Sequence, residues 1–554
     1  MAANTQAQLR QGRRKRLIQE NLTAYAFLFP AGLIIFTFGL FPVMFAFFVS
    51  LHQWRRFPDQ YIGLGNYTEA LGSAAYVAFF WVGLAALGAG LFLLWRLAQT
   101  AFAQKQFNRL LYLIPGVVNA GAVLVFVRWF ALLLPVVLNI PQRIRGQAQV
   151  EGIFIRELVA SFQVPEVVDA ANMMLVVLIA AIIISIIAVR VLRSEENSAL
   201  LLRATGVFFG LGVGYLLLQM TGDTISSAVE AARAAGTELP LWSQIVLISA
   251  GAGLLGAAYW LWTRGVKSFD DRRFLLLVLA GITLAVGGYI LIGELPRLLS
   301  SADSDMLGSF AITVLYAILA VPFQLAIGLG LAYLLFQNLK GKTFFRMIFF
   351  LPYIMPFIAT SVVFTLLFSH RQDSIVNHVI GAVGIAPQKW LLEPTPIGKL
   401  IFGAGLPDFL NGPSLALLVI IIYTIWTYAG YDAVVFLAGL GNISPELYEA
   451  ARIDGANGWQ IFRRITLPLL SPTTFFLSLI AVIGTFQAFT QLWMMRNPAS
   501  NRTTDTLSIY IFRQITDASP NYGYGSALAF VLFGVILVLT IIQNRAAQRR
   551  VFYG

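Results

Sequence analysis

YEAARIDGANGWQIFRRITLPLLSP, from Tyr448 to Pro472, is a polar interruption between two long apolar runs. In a chain that is only 12% charged, it gathers Glu449, Arg452, Asp454, Arg463 and Arg464 into one short loop. A loop of that composition is built to meet something in water. Just upstream, Ser444 and Pro445 suit the N-cap and first position of a short helix through Arg452, which Gly455 can then break. Asn457 or Gly458 can start a second short helix with Trp459, Phe462 and Ile465 on one side. Pro468 and Pro472 mark the return to apolar sequence. The expectation is a paddle of two short helices joined at a glycine turn.

The rest of the chain explains why such a loop stands out. With 58% hydrophobic and 13% aromatic residues and a mean hydropathy of +0.76, the 554-residue chain is far more apolar than a soluble globule, at roughly 45–50%. It reads as all-α, a polytopic transmembrane helical bundle. The net charge of +12 comes from bases in short loops beside apolar runs, the pattern of cytoplasmic connections, so no nucleic-acid partner is implied. The chain has no cysteine, which excludes disulfides, thiolate metal sites and cysteine nucleophiles.

Arg10 to Arg16 precedes a first apolar run, Ala24 to Leu51. That run is too long for a signal-peptide core of roughly 7–15 residues, and reads as an uncleaved span with its basic start in the cytoplasm. Six further runs follow at about Tyr76 to Trp95, Leu110 to Val127 or a little beyond, Met173 to Val189, Ala199 to Met220, Leu241 to Trp262 and Phe274 to Ile292. Each is near the length of about 20 residues that crosses the hydrocarbon. Alternate connections are basic: Arg96, Lys105 and Arg109; Arg190, Arg193 and Arg203; Arg264, Lys267, Arg272 and Arg273. Thr221 to Pro240 and Glu294 to Asp305 are acidic, and so belong on the other side. Pro141 to Asp169 fits less well, since Arg143, Arg145 and Arg156 stand on what should be the outer side, offset by Glu151, Glu157, Glu166 and Asp169. Arg128 either marks the outer end of its span or is a buried functional charge; a charge at the bilayer centre is costly, which favours the edge.

Beyond Met306 come a span to Phe336, a basic loop from Asn338 to Arg346, and a span from Ile348 to Phe368 broken by Pro352 and Pro356. A long outer loop, Ser369 to Gly412, leads to Leu415 to Leu440 and the polar paddle. Thr473 to Met495 and Gly525 to Gln543 complete about twelve spans.

Several of these elements point to one family. EAA at Glu449, Ala450 and Ala451, then DGA at Asp454, Gly455 and Ala456, resembles the EAA loop of the membrane subunits of ATP-binding-cassette importers. WTYAGYDAVVFLAGL, from Trp426 to Leu440, and the GLGNY element at Gly63 to Tyr67 are similar to those of sugar permeases of the maltose and glycerol-phosphate type. The resemblance covers about 300 of the 554 residues. It implies a six-helix permease core of 1–74 and 306–554 interrupted by an inserted region of about six spans at 75–305, with the coupling loop at 441–468. In that family the loop docks on a separate ATPase subunit, so the resemblance gives Glu449, Ala450, Ala451, Asp454, Gly455 and Ala456 an ATPase-coupling role. It further implies two ATPase subunits holding ATP and Mg, a second permease subunit, an extracytoplasmic solute-binding protein and a sugar as substrate. The setting would be the bacterial plasma membrane with its lipid, both termini being cytoplasmic.

The chain carries no nucleotide site or cofactor of its own on this reading, and is not an enzyme. Gly341, Lys342 and Thr343 mimic the end of a P-loop, but the glycine required five residues earlier is Phe336. His52, His370 and His378 are the only histidines, and no HExxH or GxSxG is present. An ion-coupled secondary transporter is the main alternative; it would place carboxylates within the bundle, and the core spans hold almost none besides Asp432. The family places its substrate pathway between the spans flanking the EAA loop. That implies Tyr428, Asp432, Thr485, Gln487 and Thr490, whose rings, amides and hydroxyls suit a sugar. The following turn departs from the family pattern: Arg496, Asn497 and Pro498 stand where a GGP element is usual.

Overall fold

Without water in the hydrocarbon, backbone N–H and C=O groups must be satisfied within each spanning segment, which makes the helix the default element. The computed structural model describes residues 20, 23–55, 57–145, 152–192, 196–237, 239–267, 272–337, 340–405, 407 and 410–548. The basic start Arg10 to Arg16 lies outside these residues, as do Glu151, Arg193 and Asn338. Among the described residues, ten helices are long and apolar enough to cross a membrane, or twelve when two bent pairs are each taken as one span. The one sheet among the described residues is a two-stranded antiparallel hairpin, β1 (His52–Trp54) with β2 (Pro58–Tyr61), pairing His52 with Tyr61.

The chain divides into two compact units. The first comprises Met1–Thr68, Ser73–Leu299 and Asn521–Ala527. It contains α1 (Thr23–Ser50), α2 (Ala74–Ala103), α3 (Leu113–Leu138), α4 (Ile153–Ser161), α5 (Pro165–Leu192), α6 (Asn197–Ala234), α7 (Leu241–Lys267) and α8 (Arg272–Leu299). The six runs expected between the first span and Met306 are thus six helices. α2 packs on α6, α3 on α5 and α6, and α7 on α8. Lipid tails are as apolar as leucine, so association of such helices relies on close packing of small residues. A Cβ on Gly90 of α2 would fall 2.9 Å from the Leu211 nitrogen and the Val207 oxygen of α6, so these two backbones touch.

After α1, the GLGNY element ties the turn. Asn66 Nδ2 donates to the carbonyl oxygens of Ser50 at 2.8 Å and His52 at 3.0 Å. The Tyr67 hydroxyl pairs with Ser50 Oγ at 2.7 Å; burial pushes its pKa up to about 12, against the pull of that hydrogen bond. α3 continues past Arg128 to Leu138, so that exposed residue does not mark the end of its helix. Arg143, in the misfit loop, is locally neutralised: it lies 3.5 Å from Glu157 and donates to the Val136 oxygen and Ser161 Oγ at 2.8 and 2.9 Å.

The second unit comprises Glu69–Gly72, Ser300–Pro520 and Leu528–Gly554. α9 (Ser304–Phe336) begins at an N-cap, Asp303, whose side chain accepts from the Asp305 and Met306 nitrogens. α10 (Lys342–Ile354) and α11 (Phe357–Leu367) form one bent pair, turned by 96° at the prolines. The long loop beyond α11 is knotted by buried Asn377, which bonds the Trp390 Nε1 at 2.7 Å and the Gln388 nitrogen at 2.9 Å. α12 (Leu415–Gly441), capped by Ser414, is the most buried span and packs on both α9 and α10. α13 (Pro445–Ile453) and α14 (Gly458–Leu469) form the polar paddle, and α15 (Ser471–Phe486) continues from α14 after a bend of 63°. α16 (Leu507–Thr516) and α17 (Tyr522–Ala547) complete the chain, the first turns of α17 belonging to the first unit.

Candidate functional site

Two places in the second unit gather the residues singled out by sequence. The paddle folds by local rules. α13 starts with Pro445 at its first turn and ends in a Schellman pattern, in which the Gly455 nitrogen donates to the Arg452 oxygen at 3.1 Å and the Ala456 nitrogen to the Ala451 oxygen at 2.9 Å. That closure needs a left-handed residue, and Gly455 has φ +78°. α14 opens with a reciprocal capping box: Asn457 Oδ1 accepts from the Gln460 nitrogen at 2.9 Å, and Gln460 Oε1 accepts from the Asn457 nitrogen at 2.8 Å. A π-turn over Phe462–Thr466 then delivers the chain to Pro468.

Glu449, Ala450, Asp454 and Gly455 are exposed, while Ala451 and Ala456 are half-buried. Glu449, Arg452 and Ala456 line a cleft of about 560 Å³ whose other wall is Tyr333 and Phe336 at the end of α9. The sequence reading placed Trp459 with Phe462 on one side of its helix. The two rings do stack at 5.7 Å, yet Trp459 remains 66% exposed and Ile453, on the other helix, 86%. Two large apolar side chains held in the open beside charged neighbours were not singled out as contact residues. For Ile453 the signal in the sequence was its place between Arg452 and Asp454, at the end of α13.

The second place is a cavity of about 190 Å³ inside the bundle. Tyr316 and Gln324 enter it from α9, Tyr353 from α10, and Thr424, Tyr428, Tyr431 and Asp432 from α12; α15 adds Gly484 and Thr485, and Gln491 closes it. Tyr353 stacks on Tyr431 with centroids 4.6 Å apart and meets Tyr428 edge-on at 5.8 Å. Tyr316 and Thr424 share a hydrogen bond of 2.7 Å. Asp432 is 2% exposed, and its Oδ2 has no hydrogen-bond partner. Two glycines make this arrangement possible. A Cβ on Gly328 of α9 would lie 2.6 Å from the Asp432 Cβ, and one on Gly430 would lie 1.7 Å from the Phe349 oxygen of α10.

Of the five residues expected on the pathway, Tyr428, Asp432 and Thr485 line this cavity, whereas Gln487 and Thr490 are not among its lining residues. Gln487 lies just past the end of α15 and lines a separate cleft with Phe489, Ser508 and Phe512. Tyr316, Gln324 and Tyr353, which the sequence did not bring forward, come from spans distant in the chain. The turn that replaces GGP is an ion-pair knot. Arg496 grips buried Asp505 through two bonds of 2.8 and 3.0 Å, Arg513 adds a third at 3.3 Å, and Arg496 also lies 5.3 Å from the Trp493 ring.

Residues 324–552 match the family described as binding-protein-dependent transport system inner membrane component. The chain is 32% identical over 241 residues to the lactose transport system permease protein LacF of Rhizobium radiobacter, across 43% of this chain and 74% of that protein. It is also 32% identical over 232 residues to the arabinooligosaccharides transport system permease protein AraP of Bacillus subtilis, across 41% of this chain and 66% of that one. Among solved structures it is similar to a chain of a bacterial alginate ABC transporter in complex with an alginate pentasaccharide-bound periplasmic protein, at 23% identity and a TM-score of 0.39, covering 45% of this chain and 80% of that one.

Proposed function

The chain belongs to the carbohydrate-type permeases of ATP-binding-cassette importers, the binding-protein-dependent inner membrane components, and from that premise we propose that its paddle is the part through which a partner ATPase drives transport. The observation that carries the proposal is the exposure of Ile453 and Trp459 beside Glu449 on two short helices whose facing ends are closed by local hydrogen bonds. A surface that is locally rigid, charged at its flank and apolar at its crest suits a cleft on another protein, since aromatic anchors framed by polar groups dominate such contacts.

On this reading Glu449 and Asp454 frame the contact, Gly455 permits close approach, and the ATPase supplies ATP and Mg. The cavity lined by Tyr428, Asp432 and Thr485 forms part of the solute path. The solute is a sugar handed over by an external binding protein, and a second permease subunit completes the channel. The paddle and both termini face the cytoplasm. Residues 75–305 constitute an addition of six spans to the permease core 1–74 and 306–554.

The test uses the importer assembled with its ATPase. Glu449→Lys and Gly455→Trp should leave membrane insertion intact, because both positions are exposed and neither packs in the bundle. Each should abolish solute-stimulated ATP hydrolysis, by charge reversal in the first variant and by bulk at a left-handed position in the second. Normal assembly and normal stimulation in both variants would refute the coupling role.

A further inference from the structure

An unpartnered carboxylate is the least expected group inside a helical bundle. More than nine in ten buried polar groups find a hydrogen-bond partner, and an unpaired buried charge is costly. Asp432 is 2% exposed with Oδ2 unbonded, and Gln324 Oε1, on the facing helix, is unbonded too. Both line the same cavity. The fold makes room for this pair, since a side chain at Gly328 would collide with Asp432. The neighbouring hydroxyls of Tyr316 and Thr424 satisfy each other. Two acceptor atoms of the cavity, Asp432 Oδ2 and Gln324 Oε1, are thus left without a donor.

Its charge is also one-sided. Asp432 is the one carboxyl group among the described lining residues, and no lysine, arginine or histidine joins it; the others are tyrosines, glutamines, threonines and apolar side chains. We infer that Asp432 sets the charge class of the solute: the cavity takes neutral, hydroxyl-rich sugars or sugars bearing an ammonium group, and excludes carboxylated or phosphorylated ones. A hydroxyl or an ammonium donates to the carboxylate, whereas a carboxylate or phosphate group on a sugar would set acceptors and a like charge against it. Tyr353, Tyr428 and Tyr431 provide aromatic surface for the apolar face of a sugar ring and, for an ammonium, cation–π attraction. This inference rests on the cavity being part of the solute path.

The cysteine-free chain allows the potential in the cavity to be measured without knowing the solute. A cysteine at Gly484, which lines the cavity and whose Cβ meets nothing within 4 Å, is introduced into the full importer in nanodiscs. Its rates of modification by a cationic, trimethylammonium-bearing methanethiosulfonate and by an anionic, sulfonate-bearing one are each divided by the reagent's rate with a free thiol. With Asp432 intact, the cation-to-anion ratio should exceed one by about tenfold or more. Asp432→Asn should bring it close to one, and Asp432→Glu should keep it high. A ratio near one with Asp432 intact overturns the inference, whatever the variants do. If neither reagent reaches the Gly484→Cys thiol while a control Ser226→Cys thiol reacts, the cavity is not on a water-accessible path, and the reading beneath the inference falls instead.

Discussion

Replacing Gly430 by alanine tests how closely α10 is held against α12. The added methyl group would stand 1.7 Å from the Phe349 carbonyl oxygen, whereas a carbon and a carbonyl oxygen normally come no closer than about 3.3 Å. The obstacle is backbone, so no rotamer change relieves it. α10 must move outward by about 1.5 Å, and Tyr353 leaves its stack on Tyr431 and its edge contact with Tyr428. Each aromatic pair contributes about 0.5–1.5 kcal/mol beyond its burial, and overpacking itself costs about 1–3 kcal/mol. Against these stands a gain of at most about 1 kcal/mol from replacing a helical glycine. The expected net loss is about 1–5 kcal/mol, together with a distorted cavity. Thermal unfolding of the purified chain in detergent, followed by fluorescence-detected size exclusion, reads the loss as a melting temperature lowered by several degrees. Gly534→Ala, where a Cβ meets nothing within 4 Å, is the matched control and should melt no lower than wild type. Equal melting of Gly430→Ala and wild type would refute the claim that the two backbones touch.

Asp505→Ala leaves Arg496 without its two-bonded partner and should destabilise the second unit by about 3 kcal/mol, visible in the same melting assay; Asn at that position, which keeps one acceptor, should lose less. Gln491→Leu should alter solute preference in a transport assay more than Gln487→Leu, because Gln491 lines the cavity and Gln487 a different cleft. Burial holds His52 below the ordinary imidazole value, against the opposing effect of its 2.8 Å bond to the Phe48 oxygen. The unfolded chain therefore takes up this proton first, and the contribution of neutral His52 is present above about pH 6.5 and lost as pH falls below it. Wild type should lose more melting temperature than His52→Gln between pH 7 and pH 5, and equal losses would remove His52 as the cause.

The span count was legible because hydrocarbon thickness sets a length that apolar runs either meet or miss. Helix ends were not. α6 runs from Asn197 to Ala234, whereas its apolar run stops at Met220, since a helix propagates through the polar TGDTISSAVEAARA once packing on α2 has started it. The paddle was legible almost to the residue because its turns are closed by groups a few positions apart: Gly455 with Arg452, Asn457 with Gln460. The cavity was legible only where one segment carries several of its residues, as with Tyr428 and Asp432. Tyr316, Gln324 and Tyr353 depend on which helices meet, and no local pattern states that. Gln487 illustrates the converse, for α15 ends at Phe486, and past that point helical spacing no longer tells which way a side chain faces.

The 63° bend between α14 and α15 turns the paddle into the short arm of a lever. From Ser471 to Thr485, α15 extends about 21 Å at a helical rise of about 1.5 Å per residue. A tilt of about 10° about the elbow would sweep Thr485 through about 4 Å, more than the length of a hydrogen bond. Small rocking of a surface helix would thereby be geared up into a displacement large enough to open or shut one wall of a cavity deep in the bundle.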